Sequence, residues 1–432
     1  MCGRLNSFQK TMLQWNALHP YSAIHVVQLP GTLDATRLRA CINATLETRG
    51  LAHLTLDLEE RTFQYQAGPA DCAIQIIAGG DDPRPALAAE MERQLNQPFA
   101  CTERFNPFRF LVAPAGESFF LGVVYFHPAA DAESVVFLLR DIANRYLAEG
   151  TPGFSDTLDL YPHSHAHLLG RHPGVVLQRL LALPRQVRNL RQSCRAPFRD
   201  AADMTNGFRF FSVAPDDLRS LIAATKSWEV TLNDLFMALL LKVLSPLAAA
   251  RKQAGKRRKL SLGCIVNLRK ELGVDSRQTF GLFLGSFTVA HDVPEGISLR
   301  ALAGDIRQQT LAIKRRQLYL GTPLELGFAR FMLKFFSPER RKKFYPKNYP
   351  LWGGITNMNL NALWEPREGG APLDYFRGVS TGPVTPLVLS VTTVCDRANI
   401  GLSYRTTVYA ANEVEGISSR FLDDLSRLNK LT

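Results

Sequence analysis

The amino-acid sequence predicts a mixed α/β protein of two lobes. Three observations carry that expectation. At 432 residues the chain holds about two domains' worth of sequence. Short apolar runs rich in β-branched and aromatic residues alternate with segments of helical period in both halves. Between the halves lies a stretch punctuated by Pro, Gly and His, 150–206. The expected division is an N-terminal lobe over 1–170, a basic helical linker over 171–206 and a C-terminal lobe over 207–432.

The elements follow in order. Residues 23–29 read as a strand, Pro30-Gly31 as a turn, and Asp34 as the N-cap of helix 35–48, with Leu38, Ile42 and Leu46 on one face. Residues 53–58, 62–66 and 74–78 read as strands and 84–95 as a helix. Residues 108–113 and 118–126 form a hairpin pair across Pro114-Ala-Gly116, and a helix runs from Asp131 to about Leu147. The linker contains an apolar and basic helix over 175–191, with Arg179, Arg185, Arg188 and Arg191. The second half has strands at 208–213, 260–267, 282–289, 355–360, 388–394 and 399–404. Its helices are expected at 215–228, 232–250, 299–317 and 413–429.

The composition, 46% hydrophobic and 21% charged, is that of a globular protein. The first sixteen residues hold no continuous apolar segment, and no run of 18 apolar residues occurs, so neither a signal peptide nor a spanning helix is expected. The seven cysteines are scattered, odd in number and without a C-x-x-C pair. They read as reduced, small buried hydrophobes in a cytoplasmic protein. The net charge of +12 asks for an anionic partner: nucleic acid, a membrane face, an acidic carrier protein or a phosphorylated coenzyme. A nucleic-acid module would bring a recognisable motif and none is present.

The most informative segment is Phe119 to Ser134. A buried-strand run ends in His127, Asp131 follows four residues later, and a helical pattern begins. A histidine at a strand end is placed to act as a general base, and an Asp close behind can fix its loop. The alternative for the same residues is a strand-end histidine with a structural hydrogen bond.

With that segment in place, the whole chain resembles the condensation-domain-like HxxxD acyltransferase superfamily. This group includes condensation domains of nonribosomal peptide synthetases, bacterial wax-ester and polyketide-associated acyltransferases, alcohol acetyltransferases and chloramphenicol acetyltransferase. Gly31-Thr-Leu-Asp34 with Leu38 to Ile42 resembles the family's opening turn and helix, and Leu95 to Phe99 the approach to the catalytic hairpin. Val266-Asn-Leu-Arg269 with Phe280 to Gly285, and Thr356-Asn357, resemble motifs of the second half. Three departures stand out. Phe126 occupies the place of a first motif histidine, Ala132 that of a glycine, and Leu54 that of an arginine paired with the motif Asp. Arg49, Arg109 and Arg269 are the candidates to replace that arginine.

The resemblance implies two chloramphenicol-acetyltransferase-like lobes around a central tunnel. It also implies acyl transfer from a coenzyme A or phosphopantetheine carrier-protein thioester to a hydroxyl, less readily an amine. His127 would be the base and Asp131 would orient its loop. Asn357, Thr392 or Ser390 would supply an oxyanion donor, and Asn267 and Arg269 would brace the lobes. No metal or redox cofactor is required. The second reading is a catalytically degenerate relative that binds lipid, a membrane surface or a carrier protein.

Three further features of the sequence stand out. His163, His165 and His167 alternate and would share a strand face, a weak zinc pattern whose default is a polar surface loop. The run Arg251 to Lys259, with Lys256, Arg257 and Arg258, is a solvated turn or a contact for coenzyme A phosphate or an acidic carrier. Residues 314–349 mix ten basic residues with Phe328, Phe331, Met332, Leu333, Phe335, Phe336, Phe344 and Tyr345. They read as a core-facing aromatic stripe with a solvated basic face, or as an amphipathic segment lying on the inner membrane face beside a lipid-like acceptor.

Overall fold

The structure is a computed structural model. It describes residues 2–429 apart from 67, 79, 81, 102, 149–157, 161–164, 166–169, 171, 172, 254 and 365–370. As the alternating runs predict, it is a mixed α/β protein with separate sheets in the two halves.

The N-terminal sheet has five strands in the order Asp374–Val379, Ser22–Pro30, Ser118–Phe126, Phe108–Ala115, Ile74–Ile76. All pairs are antiparallel except the last. Strand Ser118–Phe126 lies at its centre and is buried from Phe119 onward, which is why its sequence shows no polar alternation. Helices Ala35–Thr48 and Ala132–Leu147 cover one face with Leu38, Ile42, Val135, Leu139 and Ile142. Helix Arg84–Asn96 belongs to the second core, with Ile24, Val26, Val124 and Phe376. A smaller antiparallel sheet joins Cys2–Arg4, Thr62–Gln66, His53–Asp57 and Arg104–Phe105.

The second half builds a six-stranded sheet in the order Asn206–Val213, Arg397–Arg405, Leu387–Val394, Gly353–Asn359, Leu260–Asn267, Leu284–His291. Strand Gly353–Asn359 runs parallel to both neighbours. Helix Leu232–Leu244 packs into its core with Leu235, Phe236, Leu239 and Leu240 fully buried.

Two elements correct the sequence reading of the lobes. Strand Asp374–Val379 comes from the second half but pairs with Ser22–Pro30, so the first sheet spans the expected boundary. A helix over Ser7–Asn16, closed by an Asn6–Gln9 capping box, was also not anticipated. The helix expected over 232–250 ends at Leu244 and gives way to a kinked 3₁₀ segment, Pro246–Gln253, because Pro246 has no N–H to continue the ladder. The segment 314–349 is not one amphipathic helix but the helices Thr322–Leu333 and Pro338–Asn348, preceded by a 3₁₀ turn at Leu318–Gly321. Of the cysteines, Cys72, Cys194 and Cys264 are buried, whereas Cys2 and Cys395 are exposed, which corrects the expectation of seven buried thiols.

Candidate active site

The site is built where Ser118–Phe126 ends. Phe126 N–H donates to Pro107 O (2.9 Å) and His127 N–H to Tyr21 O (3.3 Å), so pairing extends one residue beyond the strand. Phe126 turns into the core between Phe99 and Phe105. Ala129 N–H closes a turn on Phe126 O (2.9 Å). His127 is buried, stacks on Tyr21 at 5.4 Å and 15°, and meets the edge of Tyr125 at 5.6 Å.

The orientation of the ring is fixed by one bond: Nδ1 lies 3.0 Å from Ala130 O. A carbonyl only accepts, so Nδ1 carries the proton and Nε2 is the basic nitrogen. Among the described residues nothing hydrogen-bonds Nε2. Burial lowers the His127 pKa, opposed by the Ala130 carbonyl and the Asp131 charge, so the imidazole is neutral at pH 7.

Asp131 does not touch that ring. It is the N-cap of helix Ala132–Leu147, its Oδ1 accepting from Ser134 N–H (3.0 Å). Oδ2 accepts from Phe283 N–H (3.0 Å), and Arg269 grips both oxygens at 2.7 and 2.9 Å. Burial opposes its ionisation, but the Arg269 guanidinium and these hydrogen bonds hold its pKa below the usual carboxylate value. Arg269 also donates to Ser134 Oγ (2.7 Å) and lies over the Phe283 ring at 4.3 Å. Asn267 caps Arg269 N–H (2.9 Å) and reaches Glu133 across the halves. Ser134 exchanges hydrogen bonds with both backbone groups of Gly281.

Of the candidate arginines, Arg269 is therefore the one that meets Asp131. Arg49 pairs with Asp141 (2.6 Å), and Arg109 donates to Gln97 and Pro98 carbonyls and lies over Phe99. Leu54 is core. Ala132 is the first residue of its helix and is absent from the positive-φ residues, so the backbone there does not require glycine.

The other expected site residues lie further off. Asn357 is exposed on Gly353–Asn359. Ser390 and Thr392 share a face of the neighbouring strand and are buried. Thr392 Oγ1 accepts from Arg377 Nε (3.0 Å) while Ser390 Oγ has no partner among the described residues. No hydrogen bond joins any of the three to His127 among the described residues. Thr392 Oγ1 accepts from Arg377 and keeps its own O–H to donate. Arg251 is corrected as a donor contact, because its guanidinium is buried and donates to the carbonyls of Ser245, Ala248, Arg258 and Asp292. Arg257 is half-buried and bonds Ser193 O (2.8 Å). Lys256 and Arg258 are exposed, and Lys256 helps line an open hollow with Arg188 and Arg191.

His163 and His167 lie outside the described residues. His165 is not on a polar surface loop: it is buried and stacks on Phe283 at 5.7 Å. Among the described residues no His, Cys, Asp and Glu group is arranged to hold a metal.

Sequence reasoning missed several supporting groups. Gln9 Nε2 donates to Pro128 O (3.1 Å) inside the motif loop, and Asn6 Nδ2 to Leu282 O (2.9 Å). Beneath His127, His25 Nδ1 meets Tyr375 OH at 2.6 Å and its Nε2 faces Tyr125 OH at 3.5 Å. Arg377 is buried next in register to His25. Its guanidinium is held by Thr356, Val391 and Thr392. The strand alternation of His25 with Ala23 and Val27 was the available signal.

No family model matches the chain, and no curated protein matches it. Solved structures do. The first condensation domain of the calcium-dependent antibiotic synthetase, in complex with a substrate analogue, superposes with a TM-score of 0.70 at 16% identity, covering 99% of this chain and 97% of that one. The starter condensation domain of rhizomide synthetase, a mutant in complex with C8-CoA and Leu-SNAC, gives 0.68 at 15% identity over 99% and 94%. The X-domain from teicoplanin biosynthesis gives 0.64 at 17% over 99% and 95%. Over nearly its whole length, the chain has the two-lobed fold of the condensation domains.

Proposed function

We propose that the protein is an acyltransferase that moves an acyl group from a coenzyme A or carrier-protein thioester to a hydroxyl acceptor. The observation that carries this reading is the His127 ring: Nδ1–H tied to Ala130 O, the imidazole neutral, and Nε2 left basic. In the step proposed, Nε2 takes the hydroxyl proton as the acceptor oxygen attacks the thioester carbonyl. The tetrahedral intermediate then collapses, the C–S bond breaks, and the leaving thiolate takes that proton back. Asp131 acts by position, since Arg269 and two backbone N–H groups occupy its carboxylate. Ser390, Thr392 and the exposed Asn357 are the oxyanion candidates. Lys256 and Arg258, with Arg188 and Arg191, are candidate contacts for donor phosphates or an acidic carrier. Phe126 supports a hydroxyl rather than an amine acceptor, because no second motif histidine stands beside His127. The solved rhizomide domain with C8-CoA is consistent with a thioester donor.

The test is free-thiol release from a panel of acyl-coenzyme A and acyl-carrier thioesters, with alcohol and amine acceptors. The expected result is acceptor-dependent release that falls by about 10²–10⁴-fold in His127→Ala. Release unchanged in that variant would overturn the role of His127. A second reading, a partner-binding relative without catalysis, is favoured by the X-domain of the same fold, which is solved in complex with OxyB. Absence of release with every donor would favour it.

A further inference from the structure

We propose that helix Thr322–Leu333, with Phe335 on the turn that follows it, forms a docking face for an anionic phospholipid membrane. The docking does not depend on the acyl-transfer reading. Leu324, Phe328, Phe331 and Phe335 follow one another at helical spacing along a single stripe. They are 42, 66, 56 and 69% exposed. The opposite side of the same helix is packed: Thr322, Ala329 and Leu333 are buried, and Arg330 donates to Ser7 O. The stripe is therefore the outward face of a firmly seated helix. Phe331 and Phe335 meet edge to face at 5.2 Å and still leave most of their surface open.

The neighbouring helix, Pro173–Gln192, carries a pair of its own, Leu177 and Leu181, one turn apart and 60 and 73% exposed. An Arg179–Glu325 ion pair ties the two helices, with Leu177 and Leu181 on the side of their helix away from Arg179. Four large apolar side chains aligned on one face exceed the scattered exposure ordinary for a protein surface.

Charge identifies the occupant. Residues 173–192 hold four arginines and no acid, and residues 322–348 hold seven basic residues against two acidic ones. These two segments thus carry most of the +12 net charge. Exposed rings flanked by cations suit the headgroup level of an anionic bilayer, where rings enter the acyl boundary and lysines and arginines meet phosphate. A second copy of the chain would set this positive surface against itself. Among the described residues no helix is long and apolar enough to cross a membrane, so the contact is peripheral.

The face lies a short way from the site. Leu333 and Tyr345 share a cluster with Trp15 and Tyr21, and Tyr21 stacks on His127. Docking there would hold the site close to apolar molecules dissolved in the bilayer.

The test is co-sedimentation with vesicles of phosphatidylcholine containing about one quarter phosphatidylglycerol, against vesicles of phosphatidylcholine alone, at about 0.1 M salt. Three proteins are compared: native, Phe328→Ser/Phe331→Ser/Phe335→Ser, and Lys334→Gln/Lys343→Gln/Lys347→Gln. The native protein is expected on the anionic vesicles only. The Phe variant should bind at least about tenfold more weakly, with an unchanged melting temperature because its rings are exposed. The Lys variant should lose on the order of a hundredfold. Absence of native binding to anionic vesicles would overturn the proposal. Binding that the Phe variant retains in full would do the same, as would a vesicle-free dimer that the Phe variant abolishes, which would assign the face to a second copy.

Discussion

At the scale of single residues, the site divides its labour. In the proposed reaction His127 handles the proton, whereas Asp131 caps the following helix and pairs with Arg269, although the two lie four positions apart. The Asp131–Arg269 pair has side chains 2 and 4% exposed, so loss of one partner strands a buried charge. Arg269→Met is expected to lower unfolding free energy by about 3–5 kcal/mol, measured by urea denaturation. A double variant, Asp131→Asn/Arg269→Met, should lose less than the sum of the single losses. His127 and His25 are both held below the ordinary imidazole value of 6.5 by burial. The unfolded chain therefore binds protons at these sites before the folded chain does, and stability falls as pH drops below 6.5. Asp131 adds a second loss below its ordinary value of 3.8. For catalysis the same sign means that the acid limb of kcat/KM has its midpoint below 6.5. A midpoint above that value would show that burial does not govern the base. His127, Asp131, Asn267 and Arg269 all stand out in the sequence, and the structure brings Asn267 and Arg269 to the Asp131 loop. That Arg269 meets Asp131 was not, since 138 residues separate them and Arg49 and Arg109 were equal candidates until the halves were brought together.

At the scale of elements, what the sequence shows best is what is locally determined. Asp34 caps helix Ala35–Thr48 through Arg37 N–H, and the Phe108–Ala115 and Ser118–Phe126 pair forms around its short turn. Strand Asp374–Val379 escaped notice because both partners are remote. It pairs with Ser22–Pro30, and it approaches Arg397–Arg405 so closely that a Cβ on Gly401 would lie 1.9 Å from Arg377 O. Its sequence, Asp-Tyr-Phe-Arg-Gly-Val, carries an arginine whose burial only the assembled molecule explains. Gly401→Ala must push these backbones apart, an overpacking cost of about 1–3 kcal/mol or more, which thermal denaturation would register as a lowered Tm. An unchanged Tm would show that the junction yields without strain. The basic aromatic segment was legible in composition but not in division. Phe336 and Phe344 pack inward with Tyr345, whereas Phe328, Phe331 and Phe335 face out, and only tertiary packing separates the two groups.

At the scale of the whole molecule, the halves recognised from element order are real as sheets but not as independent bodies. Asp131, Glu133 and Ser134 meet Arg269, Asn267 and Gly281 across the site, and Asp374–Val379 completes the first sheet. A fragment of residues 1–206 would keep Ser22–Pro30 with one side of its backbone unpaired. It is expected to be insoluble or to bind a hydrophobic dye when expressed alone, and calorimetry of the full chain should show one cooperative transition. Two resolved transitions, or a soluble and folded fragment, would show that the shared strand is dispensable.

The same shared strand sets a schedule for synthesis. Ser22–Pro30 leaves the ribosome well before the strand that seals it, which begins at Asp374. At about 5–20 residues per second, that wait lasts tens of seconds, with a β-edge open while the second half is still being translated. The nascent chain thus finishes its first sheet only after much of the second half has been made, and a holdase that shields a single strand edge during elongation would improve the yield of native protein more than one that acts after release.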